Sequence, residues 1–501
     1  MTQLEELDVD VIADEAFRKL NCVALGNLLE SGVRLKHLSL RGYNIGDAGV
    51  TLLVRGLRSI GSSLKELHLY GCSIGSEGLS TLVIALANCA SIKKLHLCRN
   101  DFSTAAAGLR ALSGWLQRAG IQLDELRFGG CRINDVGLQA LIEGESHDHL
   151  SALKLLDLGG NNFGNEGLSA LAAALADCTG IKTLFLNNND FSMAASGLRA
   201  LSDWLQTAGC HLDGLKLWNC DINDEGLQAL IEGAVDHCKY LDLQRNDQIT
   251  LSGLRLLSTP LQSESCCLEE LRLGYMSIGD DTAELFARAL VDNKTLRILH
   301  LFGLEEDISI TPAGWSAFSK VLCDTLSVNN TYLSNHTFQE LQLRELWWGE
   351  PAYEDIVGKD LSLYLQLNRI HPRHAAICKI LMSHKHLDME PLLNCGLDLK
   401  FLPLVIAWYE RAKPCLQLSV RNRRVLKESA KVFQSRVLTA LYQFVRGAPG
   451  NVLERRQELT MVAAYDEKIV MVKQKNRRLR KDVKERDKKI AQLEQRLREI
   501  S

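Results

Sequence analysis

The chain has 501 residues, a formal net charge of -3 and an apolar share of 46%. The charge balance excludes a whole-chain nucleic-acid binder, and the apolar share excludes a mainly disordered chain. Leucine stands out with 89 residues, roughly twice its usual share, which directs attention to an internal repeat.

The opening stretch Met1-Thr-Gln-Leu-Glu-Glu-Leu-Asp8 is acidic and lacks an apolar run, which argues against a secretory signal. No run of 18 apolar residues occurs, so no membrane span is expected. The 15 cysteines are scattered, odd in number and free of CxxC pairs. They read as reduced thiols of a cytoplasmic or nuclear protein.

Residues 1–34 read as an N-terminal cap, with a helix from about Asp14 to Glu30. From Leu35 to Leu304 one pattern recurs: L-x-x-L-x-L-x-x-(N/C)-x-(I/F), a glycine-containing turn, then apolar residues at helical spacing. Leu64, Leu67, Leu69, Cys72 and Ile74 fit it. So do Ile92, Leu95, Leu97, Asn100 and Phe102, and Leu153, Leu156, Leu158, Asn161 and Phe163. Units begin near residues 35, 64, 92, 123, 153, 181, 212, 238, 268 and 296. The L-x-L centre predicts a short strand with alternating faces, and stretches such as Gly167 to Leu175 predict a helix. Neither piece buries its apolar side alone, so the units must stack, with strands in parallel and helices outside.

These motifs resemble the ribonuclease-inhibitor class of leucine-rich repeats. The resemblance implies an α/β leucine-rich repeat horseshoe, with parallel strands inside and helices outside, over residues 35–346. Its asparagine/cysteine ladder runs Cys72, Asn100, Cys131, Asn161, Asn189, Cys220, Asn246, and departs from the pattern at Tyr43, Met276 and Leu304. A longer period overlies the units: residues 64–152 align with 153–241 at an offset of 89, with about 50 identical pairs. Shared surface residues between these halves reflect copying rather than function.

Residues 305–346 read as degenerate final units. No proline precedes Pro260, but four prolines (Pro372, Pro391, Pro403, Pro414) punctuate residues 351–447, which read as an α-helical region of short pieces. The solenoid together with Ser334-Asn-His-Thr-Phe338 and Leu399-Lys-Phe-Leu-Pro-Leu-Val-Ile-Ala-Trp408 resembles a large family of repeat proteins of unicellular algae, to which no activity is attached. Gly447-Ala-Pro-Gly450 reads as a hinge. Over 451–501 an apolar seam runs Val462, Tyr465, Ile469, Val472, Asn476, Leu479, Val483, Arg486, Ile490, Leu493, Leu497, Ile500, which predicts a coiled coil.

The charges flanking that seam bear on its orientation. A parallel homodimer sets Lys468 against Lys473, Lys475 against Arg480, and Asp482 against Asp487. An antiparallel register matching Ile469 to Ile500 pairs Lys473 with Glu494, Arg480 with Asp487, and Asp482 with Lys489. Asn476 pulls the other way, because a buried asparagine often pairs with itself in parallel coils. The reading favours an antiparallel homodimer or a heterodimer through Ile469, Val472, Asn476, Leu479, Val483, Ile490, Leu493 and Leu497. Ten Lys/Arg stand against three Asp/Glu between Lys473 and Lys489. The apolar seam passes straight through this basic stretch, so it reads as a solvated coil face before a DNA-reading helix.

No constellation predicts catalysis. Gly71-Cys-Ser-Ile-Gly75 matches the G-x-S-x-G elbow, but the offset of 89 places Asn162 where Ser73 stands. No phosphate-binding G-x-x-x-x-G-K-[ST] loop occurs. His371, His374, Cys378, His384 and His386 crowd together without the spacing of a standard zinc site, so neither metal nor cofactor is expected. The remaining candidate surface is the concave strand face, reached by residues flanking the inward leucines. Tyr70, His96, Arg127, Phe185, Lys216, Trp218, Tyr240, Asp242, Arg272 and Phe302 are the candidate contacts, with His68, Lys94 and His300 on the same face. Exposed aromatic and arginine side chains on a rigid face are what protein interfaces use. The expectation is a non-enzymatic scaffold with a protein partner and no membrane contact. Two alternatives are a small-GTPase regulator resembling Ran GTPase-activating proteins and nucleic-acid association through the basic coil.

Overall fold

The structure, a computed structural model, describes residues 5–384 except 11–21, 32, 43, 119–120, 144–147, 208, 210, 302–307, 343–356 and 370. The coil residues Ile469 to Leu497, the apolar cluster at Phe401–Trp408 and Phe302 therefore lie outside the described residues. The compact unit that holds the fold is Met1–Ser383.

Each repeat makes one strand and one helix. The strands Glu6–Asp10, His37–Arg41, Glu66–Tyr70, Lys94–His96, Glu125–Arg127, Leu155–Asp157, Thr183–Phe185, Gly214–Lys216, Tyr240–Asp242, Glu270–Arg272, Ile298–His300 and Glu340–Gln342 form one sheet in chain order. Neighbours pair in parallel throughout. A helix returns the chain between most neighbours, as a parallel pair requires. The sheet begins inside the segment read as a cap, with Glu6–Asp10, and the helix there spans Cys22–Glu30. It ends at Glu340–Gln342, and the helices Lys359–Asn368 and Pro372–Ser383 follow.

Register turns the sequence repeat into columns. Leu38, Leu67, Leu95, Leu126, Leu156, Leu184, Leu215, Leu241, Leu271, Leu299 and Leu341 are successive Cα partners across the sheet. All are 2% exposed or less. Each such leucine contributes roughly 1.5–3 kcal/mol by leaving water. A one-residue slip would turn the whole column outward, so the pattern fixes register.

The strand ends are held by a repeating turn. The residue before each ladder position has a left-handed backbone: Gly71, Arg99, Gly130, Gly160, Asn188, Asn219, Arg245 and Tyr275 all have φ between 55° and 71°. After each ladder cysteine a second residue does the same, at Ser73, Arg132 and Asp221. Ser73 is thus a turn position shared with an arginine and an aspartate. The turn at Asn162 has no such second residue, so the cysteine and asparagine turns differ.

The ladder side chains satisfy the backbone groups these turns expose. Asn100 Oδ1 accepts from the N–H groups of Cys72 and Ile74, both at 3.0 Å, and its Nδ2 donates to Leu69 O at 2.8 Å and Leu97 O at 2.7 Å. Asn161 repeats this with Cys131, Ile133, Phe128 and Leu158, and Asn246 with Cys220, Ile222, Leu217 and Leu243. The cysteines answer with Sγ donating to Leu40 O, Leu97 O and Leu186 O. Burial pushes the Cys220 thiol up to about 12, so this ladder thiol is a packing group and a donor rather than a nucleophile. Asn189 stands behind an asparagine unit. It donates to Leu158 O and Leu186 O, but its buried Oδ1 meets no donor among the described residues.

Helix starts are tied across units as well. Asp47 accepts from Gly75 N, Asp135 from Gly164 N and Gly167 N, Asp224 from Thr250 N, and Asp280 from Thr311 N. Each carboxylate thereby satisfies free N–H groups at the next helix's first turn.

A second asparagine ladder stabilises the far end. Asn293 Oδ1 accepts from Thr295 N and Leu296 N, and Asn335 Oδ1 accepts from Thr337 N and Phe338 N. Asn335 Nδ2 reaches back to Leu290 O and Asn293 O, and Asn368 Nδ2 to Asn335 O and Phe338 O. This assigns a structural role to Ser334-Asn-His-Thr-Phe338: Asn335 closes the turn and Phe338 is fully buried. His336 receives the helix Pro372–Ser383. Lys379, itself fully buried, donates from Nζ to Leu322 O at 2.6 Å, Asn335 O at 3.1 Å and His336 Nδ1 at 3.1 Å.

Asn100→Ala strands two buried N–H groups and two carbonyls. It should cost at least about 3 kcal/mol in urea unfolding, and clearly more than Asn189→Ala; equal losses would contradict the ladder account. His336 is held at about 4 by burial and then by the Lys379 ammonium, against an ordinary 6.5. The unfolded chain therefore binds more protons between these values, and stability falls as pH drops from 6.5 toward 4. His336→Asn should flatten that decline in urea midpoint, and an unchanged slope would refute this assignment.

Candidate functional site

Helices cover one side of the sheet, and alternate strand residues face away from them. Parallel sheets are ordinarily covered on both faces, so a face left open by the described residues is the feature that distinguishes this layer. Pairing sets its side chains in rows. The middle row reads Ser39, His68, His96, Arg127, Asp157, Phe185, Lys216, Asp242, Arg272, His300 and Gln342. Candidate residues 26 or more positions apart in sequence thus become neighbours.

Charge alternates along much of this row. Lys216 acts on both Asp157 and Asp242, and its Nζ lies 4.3 Å from the Phe185 ring centroid. Arg272 sits 5.1 Å from the Tyr240 centroid and donates from Nε to Glu270 at 2.9 Å. Arg127 donates to Glu125 at 3.0 Å. Outer positions repeat the cation–aromatic theme, with Arg99 over Tyr70 and Arg245 over Tyr275. Such pairs flatten long cations against rings and keep the face ordered without a ligand.

Exposure sorts the candidates. Tyr70 is exposed, and His96, Arg127, Phe185, Lys216, Trp218, Tyr240 and Arg272 are partly exposed. Asp242 is different: it is only 3% exposed. Its carboxylate accepts from Tyr240 Oη at 2.9 Å and Gln244 N at 3.2 Å. It holds the face together and offers a partner almost nothing. His300 is equally buried, with Nε2 2.9 Å from Glu270 Oε1. Trp218 stands beside the asparagine-rich turns; its carbonyl accepts from Asn188 N at 2.9 Å, which fixes the backbone beneath the ring.

Burial sets the protonation states. It drives His68 and His96 down to about 4, reinforced at His96 by Arg127 and at His68 by His96 and His37. Burial raises Asp157 and Asp242, against the pull of backbone, tyrosine and lysine partners. Burial also raises Glu66, Glu125 and Glu270, but Lys94, Arg127 and His300 respectively lead the contacts that reverse this and leave each lowered.

The sequence reading named His68 but passed over His37 and Glu66, which stand opposite each other at the start of two neighbouring strands. The signal was present in His37-Leu-Ser-Leu-Arg41 and Glu66-Leu-His-Leu-Tyr70, read 29 residues apart. His374 and Cys378 lie on the helix Pro372–Ser383, but their side chains, and all of His386, are outside the described residues.

Fold and face together define a leucine-rich repeat solenoid, with one parallel sheet on one side and helices on the other. A family model described as "Leucine Rich repeat" matches residues 62–83, 123–141, 149–172 and 210–230. The chain is similar to the ribonuclease inhibitor of Mus musculus, 27% identical over 398 residues, covering 73% of this chain and 82% of that protein. It is similar to that of Sus scrofa at 26% over 413 residues, covering 71% and 86%. Among solved structures, a chain of the Rad7 and Elc1 complex of yeast aligns with a TM-score of 0.35 and 17% identity, over 62% of this chain and 78% of that one. Among the described residues, no helix is long and apolar enough to cross a membrane.

The burial of Asp242 gives a test. A raised carboxyl pKa means that folding works against the ionised form above pH 4. Asp242→Asn keeps an acceptor for Tyr240 and removes the charge, so its stability at pH 7 should equal or exceed wild type. Asp242→Ala should lose about 1–3 kcal/mol by leaving buried donors unmatched. Equal losses for both variants in urea unfolding would contradict this role.

Proposed function

We propose that the protein is a non-enzymatic scaffold that binds a protein partner on the concave strand face. The observation that carries this reading is the row of partly exposed aromatic and cationic side chains on a sheet face that no helix covers among the described residues. Phe185, Lys216, Tyr240 and Arg272 lie on adjacent strands and are already held in place by cation–aromatic contacts, so little side-chain entropy is lost on contact, and Trp218 stands two residues past the strand Gly214–Lys216. Rigid aromatic and arginine anchors supply most of the energy in protein interfaces. The similarity to ribonuclease inhibitors, named for acting on another protein, supports the same reading. Tyr70, His96 and Arg127 extend the surface toward its N-terminal end, Phe302 is included by its place in the sequence repeat alone, and Asp242 serves as the internal brace. We place the protein in the cytoplasm.

The heptad seam of residues 462–500 supports a second element. Ile469, Val472, Asn476, Leu479, Val483, Ile490, Leu493 and Leu497 form an oligomerisation seam, antiparallel in a homodimer or pairing with another chain. Its flanking charges favour those arrangements over a parallel homodimer.

Affinity capture from cell extract separates the two surfaces. The intact chain, Trp218→Ala and a 1–450 truncation are compared by quantitative mass spectrometry. Trp218→Ala should deplete one set of proteins at least about tenfold, the loss of roughly 1.4 kcal/mol or more at an anchor residue. The truncation should deplete a different set. Identical captured sets from all three proteins would refute the two-surface reading.

A further inference from the structure

Three metal donors converge near the N-terminal end of the sheet. His37 and Glu66 are direct Cα partners at the start of neighbouring strands, and His68 follows Glu66 on the same face. His37 Nδ1 lies 3.1 Å from Glu66 Oε2, and His68 Nε2 lies 3.9 Å from the same oxygen. The three donor atoms all fall within 4.8 Å of one another. A tetrahedral zinc ion with bonds near 2.0–2.1 Å separates its donors by about 3.3–3.4 Å, so small side-chain rotations bring the set into range.

The surroundings hold these donors ready. His68 Nε2 is buried and meets no hydrogen-bond partner among the described residues, although buried polar atoms are ordinarily paired. The His96 ring stacks on His68 at 4.0 Å with 8° between planes, and His96 Nε2 is held by Glu125 Oε2 at 3.2 Å. The His37 ring meets His68 edge-on at 4.8 Å. The other oxygen of Glu66 lies 3.1 Å from Lys94 Nζ, the kind of outer contact that orients a ligating carboxylate. All three donors sit on paired strands rather than on a loop, which fixes their spacing.

We propose that His37, Glu66 and His68 bind one zinc ion on the concave face, leaving its fourth position open. Two imidazoles and a carboxylate form a set that zinc uses when one position stays open to water or another ligand. Imidazole donors select against calcium and magnesium, which take oxygen. The charges of Lys94 and Arg41 oppose a dication here, so the site is weaker than a closed four-ligand one. It is independent of the partner-binding reading, because it is built wholly from this chain.

The test uses the full chain, reduced and stripped of metal, titrated with zinc alone by calorimetry. Wild type should bind one more equivalent at micromolar zinc than His37→Asn/His68→Asn. The isosteric Glu66→Gln should weaken that equivalent at least about tenfold. Circular dichroism checks the fold of each variant, and Glu66→Gln decides the matter if the double variant unfolds. Cobalt in place of zinc separates this site from cysteine sites, because it should show ligand-field absorption that disappears in the variants without a thiolate charge-transfer band. Equal stoichiometry and affinity in all three proteins would overturn the proposal, as would binding that vanishes only on cysteine alkylation.

Discussion

The whole solenoid depends on how each strand ends. A short parallel strand leaves backbone N–H and C=O groups at its turn, and a buried group without a partner costs more than any single contact returns. The chain meets this with two coupled devices. At least one residue per ladder unit turns left-handed, and behind each cysteine turn an asparagine of the next unit enters with two acceptor and two donor contacts. Because donors and acceptors belong to successive units, each repeat is completed only by its neighbour. The leucine columns then supply cohesion, while the asparagines specify where each strand stops.

That arrangement explains why the concave face can stay open. With the apolar residues committed to the helix side, alternate strand positions are free to vary, and they carry the charged, aromatic and imidazole groups. Most of the charges there compensate one another along the sheet, through alternation and cation–aromatic contacts. The face is therefore ordered before any partner arrives. Its N-terminal part is rich in imidazole and carboxylate, and its middle in aromatic rings and long cations, so two kinds of chemistry share one surface.

Much of this was legible in the sequence because a repeat reports its own geometry. The positions of Leu67, Leu95 and Leu126 predict a column, and the column predicts which residues face outward. The division of labour among those residues was not legible. Asp242 looks like any outward strand position, yet its carboxylate turns onto Tyr240 and Gln244 and is buried. Lys379 looks like a solvated helix residue, yet it is buried among carbonyls. The meeting of His37, Glu66 and His68 was hidden because no local spacing encodes it; only strand register brings position 37 beside 66. The likeness of Ser73 to a nucleophile elbow dissolves once Arg132 and Asp221 are seen to share its backbone.

The central claim is that the open strand face, rather than the helical side, receives a partner. The most direct measurement places a photo-crosslinking amino acid at Trp218 on the strand face and, separately, at Gln228 on the exposed side of the helix Asp224–His237. Both proteins are irradiated in cell extract and their adducts compared. The account predicts a discrete adduct from position 218 that is absent from position 228. Adducts confined to position 228, or the same products from both positions, would contradict it.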